Sequence, residues 1–399
     1  MWHGRDSTER PGGGAGAPRH SALVLYDRRV ASAEHRSNQH THGTQAATPS
    51  GPPEFAQAAR PGDLTPFIRA LLSGRTLARQ EAENAFQSMM SGQAHHAEMG
   101  ALLALLATRV PTVDELVGAA TVMRQHVQKV PSHVPAQQLL DTAGTGGTAK
   151  LFNVSTAAAL VAAGAGAHVA KHGNRSRTGR GSAETLAALG VNVDCGPEVQ
   201  ARCLQEAHIC FCFAVHHHPA AHHAMPVRKA LGIPTIFNLL GPLTNPAGAG
   251  RQLVGVYAPQ FVQPVAEALL ALGALSALVV HGTDGLDEIS LSAPTVVAEV
   301  ADGAIRTYTV TPEELGLERA PHEALAAQDL AHAAALVRAL LDGTERGPAR
   351  RMLLLNAAAA IRAAGLAPDV RSALAMAEQS VDTGAAARAL AQLALVSNR

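Results

Sequence analysis

Residues 141–184 read DTAGTGGTAKLFNVSTAAALVAAGAGAHVAKHGNRSRTGRGSAE, and the rest of the chain is organised around them. Three loops rich in glycine, hydroxyl or amide groups (144–147, 153–156 and 171–176) alternate with an Ala/Val-rich helical run and a short apolar strand. Gly144, Gly146 and Gly147 remove the Cβ atoms that would keep a ligand off the main chain, so with Thr145 they let successive backbone N–H groups face an anion. Asn153, Ser155 and Thr156 sit at the start of the helical run, where free N–H groups attract phosphate oxygens. Lys171 adds a full charge at the end of the next strand and Asn174 a neutral donor and acceptor, a set suited to a sugar phosphate with more than one anionic group. The competing reading of a lone GTGG is a plain strand-ending turn; it has neither the P-loop spacing nor the dinucleotide spacing G-x-G-x-x-G.

The chain has 399 residues, 47% of them hydrophobic, with 32 basic and 32 acidic side chains. That length supports one large or two ordinary domains. Zero net charge argues against non-specific binding to nucleic acid or an anionic membrane, which leaves a basic surplus. No uninterrupted apolar segment reaches the roughly 18 residues that a membrane helix needs, and the first residues have no apolar run behind their charges, so a cytoplasmic protein without membrane attachment is expected. Residues 1–60, rich in Gly, Pro, Ser, Thr, His and Arg, read as a disordered low-complexity extension.

From Leu64 apolar residues recur at helical spacing (Leu64, Phe67, Ile68, Leu71, Leu72, then Ala82, Phe86, Met89, Met90), which predicts about four helices, a small all-helical domain over 62–132 joined by part of 222–236. Residues 135–399 then alternate: strands are expected at 138–141, 168–171, 209–214, 252–257, 277–281 and 296–300, helices at 156–165 and 183–189, and helices again over 325–396 with Gly343, Gly365 and Gly384 as stops. The fold class is therefore α/β, a mostly parallel central sheet flanked by helices, with ligands at the carboxyl ends of the strands. Asn238 and the Pro-rich residues up to Pro246 read as a rigid loop.

Cys195, Cys203, Cys210 and Cys212 lie within eighteen residues beside six histidines, but no C-x-x-C pair occurs, and Cys210 and Cys212 fall on one face of an apolar strand. Buried free thiols are the expectation, with structural zinc the alternative. Asp284, Asp287 and Glu288 follow another apolar strand; two adjacent carboxylates facing a phosphate loop make a magnesium site of hard oxygen ligands, whereas a solvated turn is the bland alternative. Arg228 has the geometry to hold a carboxylate in two hydrogen bonds, or stands as a helix-surface charge.

GTGG (144–147), FNVST (152–156), KHGNRS (171–176), HPA (218–220), PVRKALG (226–232), TIFNLLGPLTNP (235–246) and GLDEIS (285–290), in that order, resemble the signatures of the anthranilate phosphoribosyltransferases, and the resemblance runs from about Leu64 to the C-terminus. It implies transfer of the phosphoribosyl group of 5-phosphoribosyl 1-diphosphate to the amine of anthranilate in tryptophan biosynthesis, by a homodimer joined through its helical domains. It also implies donor binding by Gly144, Thr145, Gly146, Gly147, Asn153, Ser155, Thr156, Lys171, Thr178 and Gly179, and anthranilate binding by Gly144, Asn174, His218 and Arg228. Two Mg2+ ions are implied at Asp287, Glu288 and Ser155. The chain departs from the pattern: Thr148, Ala149, Lys150 and Leu151 are one residue short of the usual segment and lack its acid, the segment after Ser176 is also one shorter and has Glu184 in place of an Asp, His217 replaces a common aromatic and Val215 a common Pro. The alternatives are a paralogue with another aromatic acceptor, a pyrimidine nucleoside phosphorylase, or a non-catalytic nucleic-acid-binding protein; KHGNRS and Arg228 disfavour the second, and neutral charge with the Asp287 and Glu288 pair the third.

Overall fold

A computed structural model of the chain describes residues 60–146, 151–176 and 178–399. Four helices come first: α1 (Thr65–Leu72), α2 (Arg79–Met90), α3 (His96–Ala107) and α4 (Val113–Gln125). The start of α4 is chemically marked. Thr112 accepts the Glu115 N–H while the Glu115 carboxylate accepts the Thr112 N–H, the reciprocal cap that opens α4. Glu115 is itself buried and also takes the Arg109 guanidinium and the Leu77 N–H, so its charge is fully used.

The alternating region then runs β1 (Leu139–Asp141), α5 (Val154–Gly164), β2 (His168–Gly173), α6 (Ser182–Ala188), α7 (Pro197–Ala207), β3 (Ile209–Phe213), α8 (Ala214–His217), α9 (Met225–Leu231), α10 (Ile236–Leu243), β4 (Arg251–Gly255), α11 (Val262–Ala271), β5 (Ser276–Gly282), β6 (Thr295–Ala301) and β7 (Ala304–Val310). It closes on α12 (Leu330–Leu341), α13 (Pro348–Ala363), α14 (Val370–Asp382) and α15 (Ala385–Ser397). The described strands form one sheet in the order β3-β2-β1-β4-β5-β6-β7; β3, β2, β1, β4 and β5 are parallel, and β6 and β7 are antiparallel. The sheet is therefore mostly parallel and covered on both faces, as the alternation implies. On one side lie α5, α13, α14 and α15, with Ala357, Ala358, Ala359 and Ala360 fully buried, because small side chains let α13 approach α5 closely. On the other side, Val254, Val256, Ala277, Val279, Ala298 and Val300 share a core with α10, α11 and the four N-terminal helices. α9 packs against α3 within this second core through Val227.

Several boundaries differ from the periodicity. α5 begins at Val154, so Ser155 and Thr156 occupy its first turn and Asn153 its cap position. The expected loop at 238–246 is helical as far as Leu243: Asn238 accepts the Thr235 N–H, and Pro242 sits in the last turn, where it forfeits only one intrahelical bond. Ala214 opens α8 instead of ending β3, and β7, an edge strand with exposed polar positions, has no clear apolar alternation to announce it. The three C-terminal stops hold: Gly343, Gly365 and Gly384 take φ of 77°, 75° and 72°, the left-handed conformation that ends a helix. All four cysteines are buried free thiols, and Cys210 Sγ lies 3.7 Å from Cys212 Sγ. Burial pushes Cys195 up to about 11 and Cys203 to about 12, which keeps both unreactive at neutral pH.

Candidate active site

Neighbouring parallel strands β2, β1, β4 and β5 end at one edge of the sheet, so the loops after Asp141, Gly173, Gly255 and Gly282 converge there. The GTGG turn lies across two of these ends. Thr145 N–H donates to the Gly255 carbonyl at 2.8 Å, and its hydroxyl accepts the Tyr257 N–H at 2.9 Å. Gly144 is glycine for space: a Cβ there would stand 3.1 Å from the Gly255 carbonyl oxygen and 3.3 Å from Asp287 Oδ2. Gly146, at φ 65° and exposed, turns the chain outward.

Lys171 is buried at the base of this turn. Its Nζ donates to the Thr142 carbonyl (3.2 Å) and hydroxyl (3.1 Å) and to Ser155 Oγ (3.4 Å). Burial pulls the ammonium pKa down, and the charges of Asp141 and Glu288 oppose that pull. Asp141, fully buried, accepts the Ala143 N–H, the His172 N–H and the Asn245 amide at 3.0, 3.0 and 2.8 Å, tying the loop after β1 to strand β2 and to the segment before β4. Burial raises its carboxyl to about 6, against the Lys171 charge and these three donors.

The acidic side of the cleft comes from the loop after β5. Glu288 Oε1 accepts the Ser155 N–H at 3.2 Å, so the carboxylate sits on the free N–H end of α5, where the helix dipole favours negative charge. Burial, and after it the neighbouring Asp287 charge, raise Glu288 to about 8 against the opposing pull of Lys171 and the Ser155 N–H. Two crowded carboxylates beside a serine hydroxyl make a set of hard oxygens whose desolvation and mutual repulsion a divalent cation would relieve. The residues present thus fit magnesium.

The remaining predicted residues line the loops around this centre. Asn153 Oδ1 accepts the Thr185 hydroxyl at 2.6 Å and its amide donates to the Arg180 carbonyl, so α6 and the 176–180 turn are bound to the start of α5. Thr178 is exposed with its hydroxyl 3.1 Å from Ser176 Oγ, and Gly179 takes φ 69°. Thr156 is buried, and its hydroxyl has no hydrogen-bond partner among the described residues. Asn174 is exposed at the end of β2, its Oδ1 accepting the Arg175 N–H at 2.8 Å. His218 packs its ring 5.1 Å from that of His172; burial lowers His218 to about 4 and His172 to about 3, so both imidazoles are neutral at pH 7. Arg228, on α9, places its guanidinium 4.8 Å over the Phe237 ring. Gly147, the shortened segment 148–150 and Arg177 lie outside the described residues, as does the N-terminal extension up to residue 59.

Sequence reasoning passed over Thr142, Asp141, His172, Asn245 and Gly255. Asp141 and Thr142 directly precede the glycine turn, the one local hint; Asn245 and Gly255 enter only through pairings over about a hundred residues that no local pattern signals.

The known proteins most informative for this arrangement fall in one class. Residues 136–387 match the glycosyl transferase family a/b domain, and residues 65–127 its helical bundle domain. Anthranilate phosphoribosyltransferase from Rubrobacter xylanophilus is 48% identical over 338 residues, 84% of this chain and 98% of the relative; the enzyme of that name from Rhodopseudomonas palustris is likewise 48% identical over 337 residues, 84% and 98%. The chain belongs to the anthranilate phosphoribosyltransferase family, pentosyltransferases of tryptophan biosynthesis. The crystal structure of the Thermus thermophilus enzyme superposes with a TM-score of 0.78 at 41% identity, covering 83% of this chain and 99% of that one. A Saccharomyces cerevisiae anthranilate phosphoribosyltransferase in complex with PRPP (5-phosphoribosyl 1-diphosphate) and Mg superposes at 0.76 with 25% identity, covering 84% and 98%.

Proposed function

We propose that this protein joins anthranilate to 5-phosphoribosyl 1-diphosphate, giving N-(5-phosphoribosyl)anthranilate and diphosphate. The observation that carries the reading is the convergence on Ser155: its hydroxyl lies 3.4 Å from Lys171 Nζ while its backbone N–H holds Glu288. Cation and acids thus meet at one helix start beside a glycine turn, the arrangement a pyrophosphorylated sugar and its metal require. The yeast relative bound to that sugar and Mg supports it.

In this reading Gly144, Thr145, Gly146, Gly147, Ser155, Thr156, Lys171, Thr178 and Gly179 hold the diphosphate and phosphate, and Asn153 the ribose. Asp287 and Glu288 with Ser155 hold magnesium, two ions per site, which when bound neutralises charge on the departing diphosphate. Displacement at the ribose C1 passes through an oxocarbenium-like state, so Lys171 and the backbone donors act by stabilising negative charge as it leaves. Asn174, Gly144 and Arg228, with His218 beside them, orient anthranilate; its amine is already neutral at pH 7, so no strong base and no covalent nucleophile is needed. Positioning supplies much of the remainder. The same reading includes a cytoplasmic homodimer joined through a helical domain of residues 62–132 and part of 222–236. Among the described residues no helix is long and apolar enough to cross a membrane.

The test follows anthranilate fluorescence on adding 5-phosphoribosyl 1-diphosphate and Mg2+, with aniline and hydroxybenzoates as control acceptors. Loss of signal with anthranilate alone is expected; Asp287→Asn with Glu288→Gln is expected to fall below about 1% of wild type at saturating acceptor. Turnover only with another acceptor, or near-normal turnover in the double variant, would overturn the assignment.

A further inference from the structure

We infer that Asn356, in the middle of the buried helix α13, is the positioning residue that sets the direction of the Asp287 and Glu288 carboxylates. The inference rests on the magnesium reading above, but its geometry stands apart from it. Asn356 is fully buried in a run otherwise of Met, Leu, Ala and Ile, MLLLNAAAAI at 352–361, where an amide would be costly without partners. Two of its three bonds go to the two polar groups of one residue. Asn356 Oδ1 accepts the Ile289 N–H at 2.9 Å, and Nδ2 donates to the Ile289 carbonyl at 3.0 Å; the other Nδ2 hydrogen goes to the Met352 carbonyl at 3.0 Å. The side chain therefore pairs with the Ile289 backbone as a neighbouring strand would, and Ile289 directly follows Glu288.

The rest of the loop is held as firmly, so this pairing decides an orientation. Asp284 Oδ2 accepts both the Ser290 hydroxyl and His322 Nε2, the latter at 2.7 Å, and Ser290 Oγ in turn accepts the Ser292 N–H at 2.9 Å. Gly282 N–H donates to the Leu286 carbonyl at 2.8 Å. Asp287 and Glu288 lie between the Gly282–Leu286 turn and the Asn356 pairing. A one-residue slip at Ile289 would take Glu288 off the start of α5 and turn it into the sheet–helix core. An apolar residue at 356 would fill the space and leave the Ile289 peptide unpaired; only an amide offers a donor and an acceptor side by side.

The experiment compares Asn356→Ala and Asn356→Asp with Leu355→Ala, a buried change on the same helix that touches no loop bond named here. Three quantities are read on each folded protein: hydrogen exchange at the Ile289 amide, half-saturation by Mn2+ followed by electron paramagnetic resonance, and kcat against the anthranilate KM. Asn356→Ala is expected to expose the Ile289 amide to exchange, to raise the Mn2+ half-saturation at least tenfold and to lower kcat, with KM for anthranilate within about twofold. Asn356→Asp, which keeps the acceptor and loses the donor, should fall between, and it carries the comparison if the alanine variant does not fold. Leu355→Ala should lose thermal stability without moving the Mn2+ curve. Faster Ile289 exchange with an unmoved Mn2+ curve, or a Leu355→Ala shift equal to that of Asn356→Ala, would overturn the inference. Wild-type protein that binds no Mn2+ and transfers nothing would instead overturn the magnesium reading, while the exchange data would still report the pairing.

Discussion

Glu288 and Lys171 share one environment and respond to it in opposite ways. With no cation present, burial and the Asp287 charge hold the Glu288 carboxyl at about 8, far above its ordinary 4.5. The folded protein therefore binds that proton more tightly than the unfolded chain, so stability without metal should fall as pH rises from about 4.5 to about 8. Mg2+ should reverse the fall, and Glu288→Gln should flatten it; thermal unfolding across that range with and without 10 molar equivalents (about) of Mg2+ over site concentration checks both. The histidines act in the other direction. His172 and His218, held at about 3 and about 4, prefer to be neutral in the fold, so their contribution is present above the ordinary 6.5 and is lost as pH falls through their folded values. Arg228 is a different case, a guanidinium already steadied by the Phe237 ring. Arg228→Ala should remove charge-assisted hydrogen bonds of about 1.5–3 kcal/mol to the acceptor carboxylate, a rise in anthranilate KM of roughly 10- to 100-fold with little change in the KM of the sugar donor.

At the scale of elements, the site is made where strand ends meet. β1, β2 and β4 bring Asp141, Lys171 and Gly255 together, and the loop after β5 lies so close to β4 that a Cβ on Gly255 would overlap the Asp287 carbonyl oxygen. Because both partners are backbone, neither can swing aside as a flexible side chain would. Gly255→Ala is thus expected to cost at least the upper part of the about 1–3 kcal/mol range for overpacking and to abolish turnover. Gly273→Ala, at a turn where an added Cβ meets nothing nearby, serves as the control: its φ of 87° should cost stability while activity survives. Chemical denaturation and the fluorescence assay together separate the two outcomes. α5 has the complementary role, its first turn offering one N–H to Glu288 and one hydroxyl to Lys171, so a shift of this helix would move both sides of the site at once.

For the whole molecule, the helical region and the sheet share an apolar core, since Phe86 and Leu116 belong to the same buried cluster as Val254 and Val279. Arg124 strengthens the join: from α4 it donates to the carbonyls of Leu243 and Leu272 at the ends of α10 and α11. The outer face of α1 is less satisfied, for Leu72 remains 68% exposed and Phe67, Ile68 and Leu71 are only half-buried. α3 packs against both α1 and α9, where Met225 is also exposed, and this apolar face fits the proposed contact between two copies. Sedimentation should show a dimer for the wild type and a shift to monomer for Ile68→Glu with Leu72→Glu. A wild-type monomer at micromolar concentration would remove the dimer from the proposal.

The α/β class, the four N-terminal helices, most strands and the C-terminal helix stops were legible in the sequence, because each rests on local periodicity or on a glycine that local geometry demands. The glycine turn, Lys171 and the Asp287 and Glu288 pair could be singled out locally, but each alone reads equally as a strand-ending or solvated turn, and it was their combination in one chain that marked a site. Only the tertiary structure decided that Lys171 leans on Thr142, that Asp141 joins the loop after β1 to β2 and to Asn245, and that Asn356 braces the residue after Glu288. Those bonds join segments about 30 to 100 residues apart, and a side chain's partner across such a distance is set by how helices and strands pack, which no local pattern encodes.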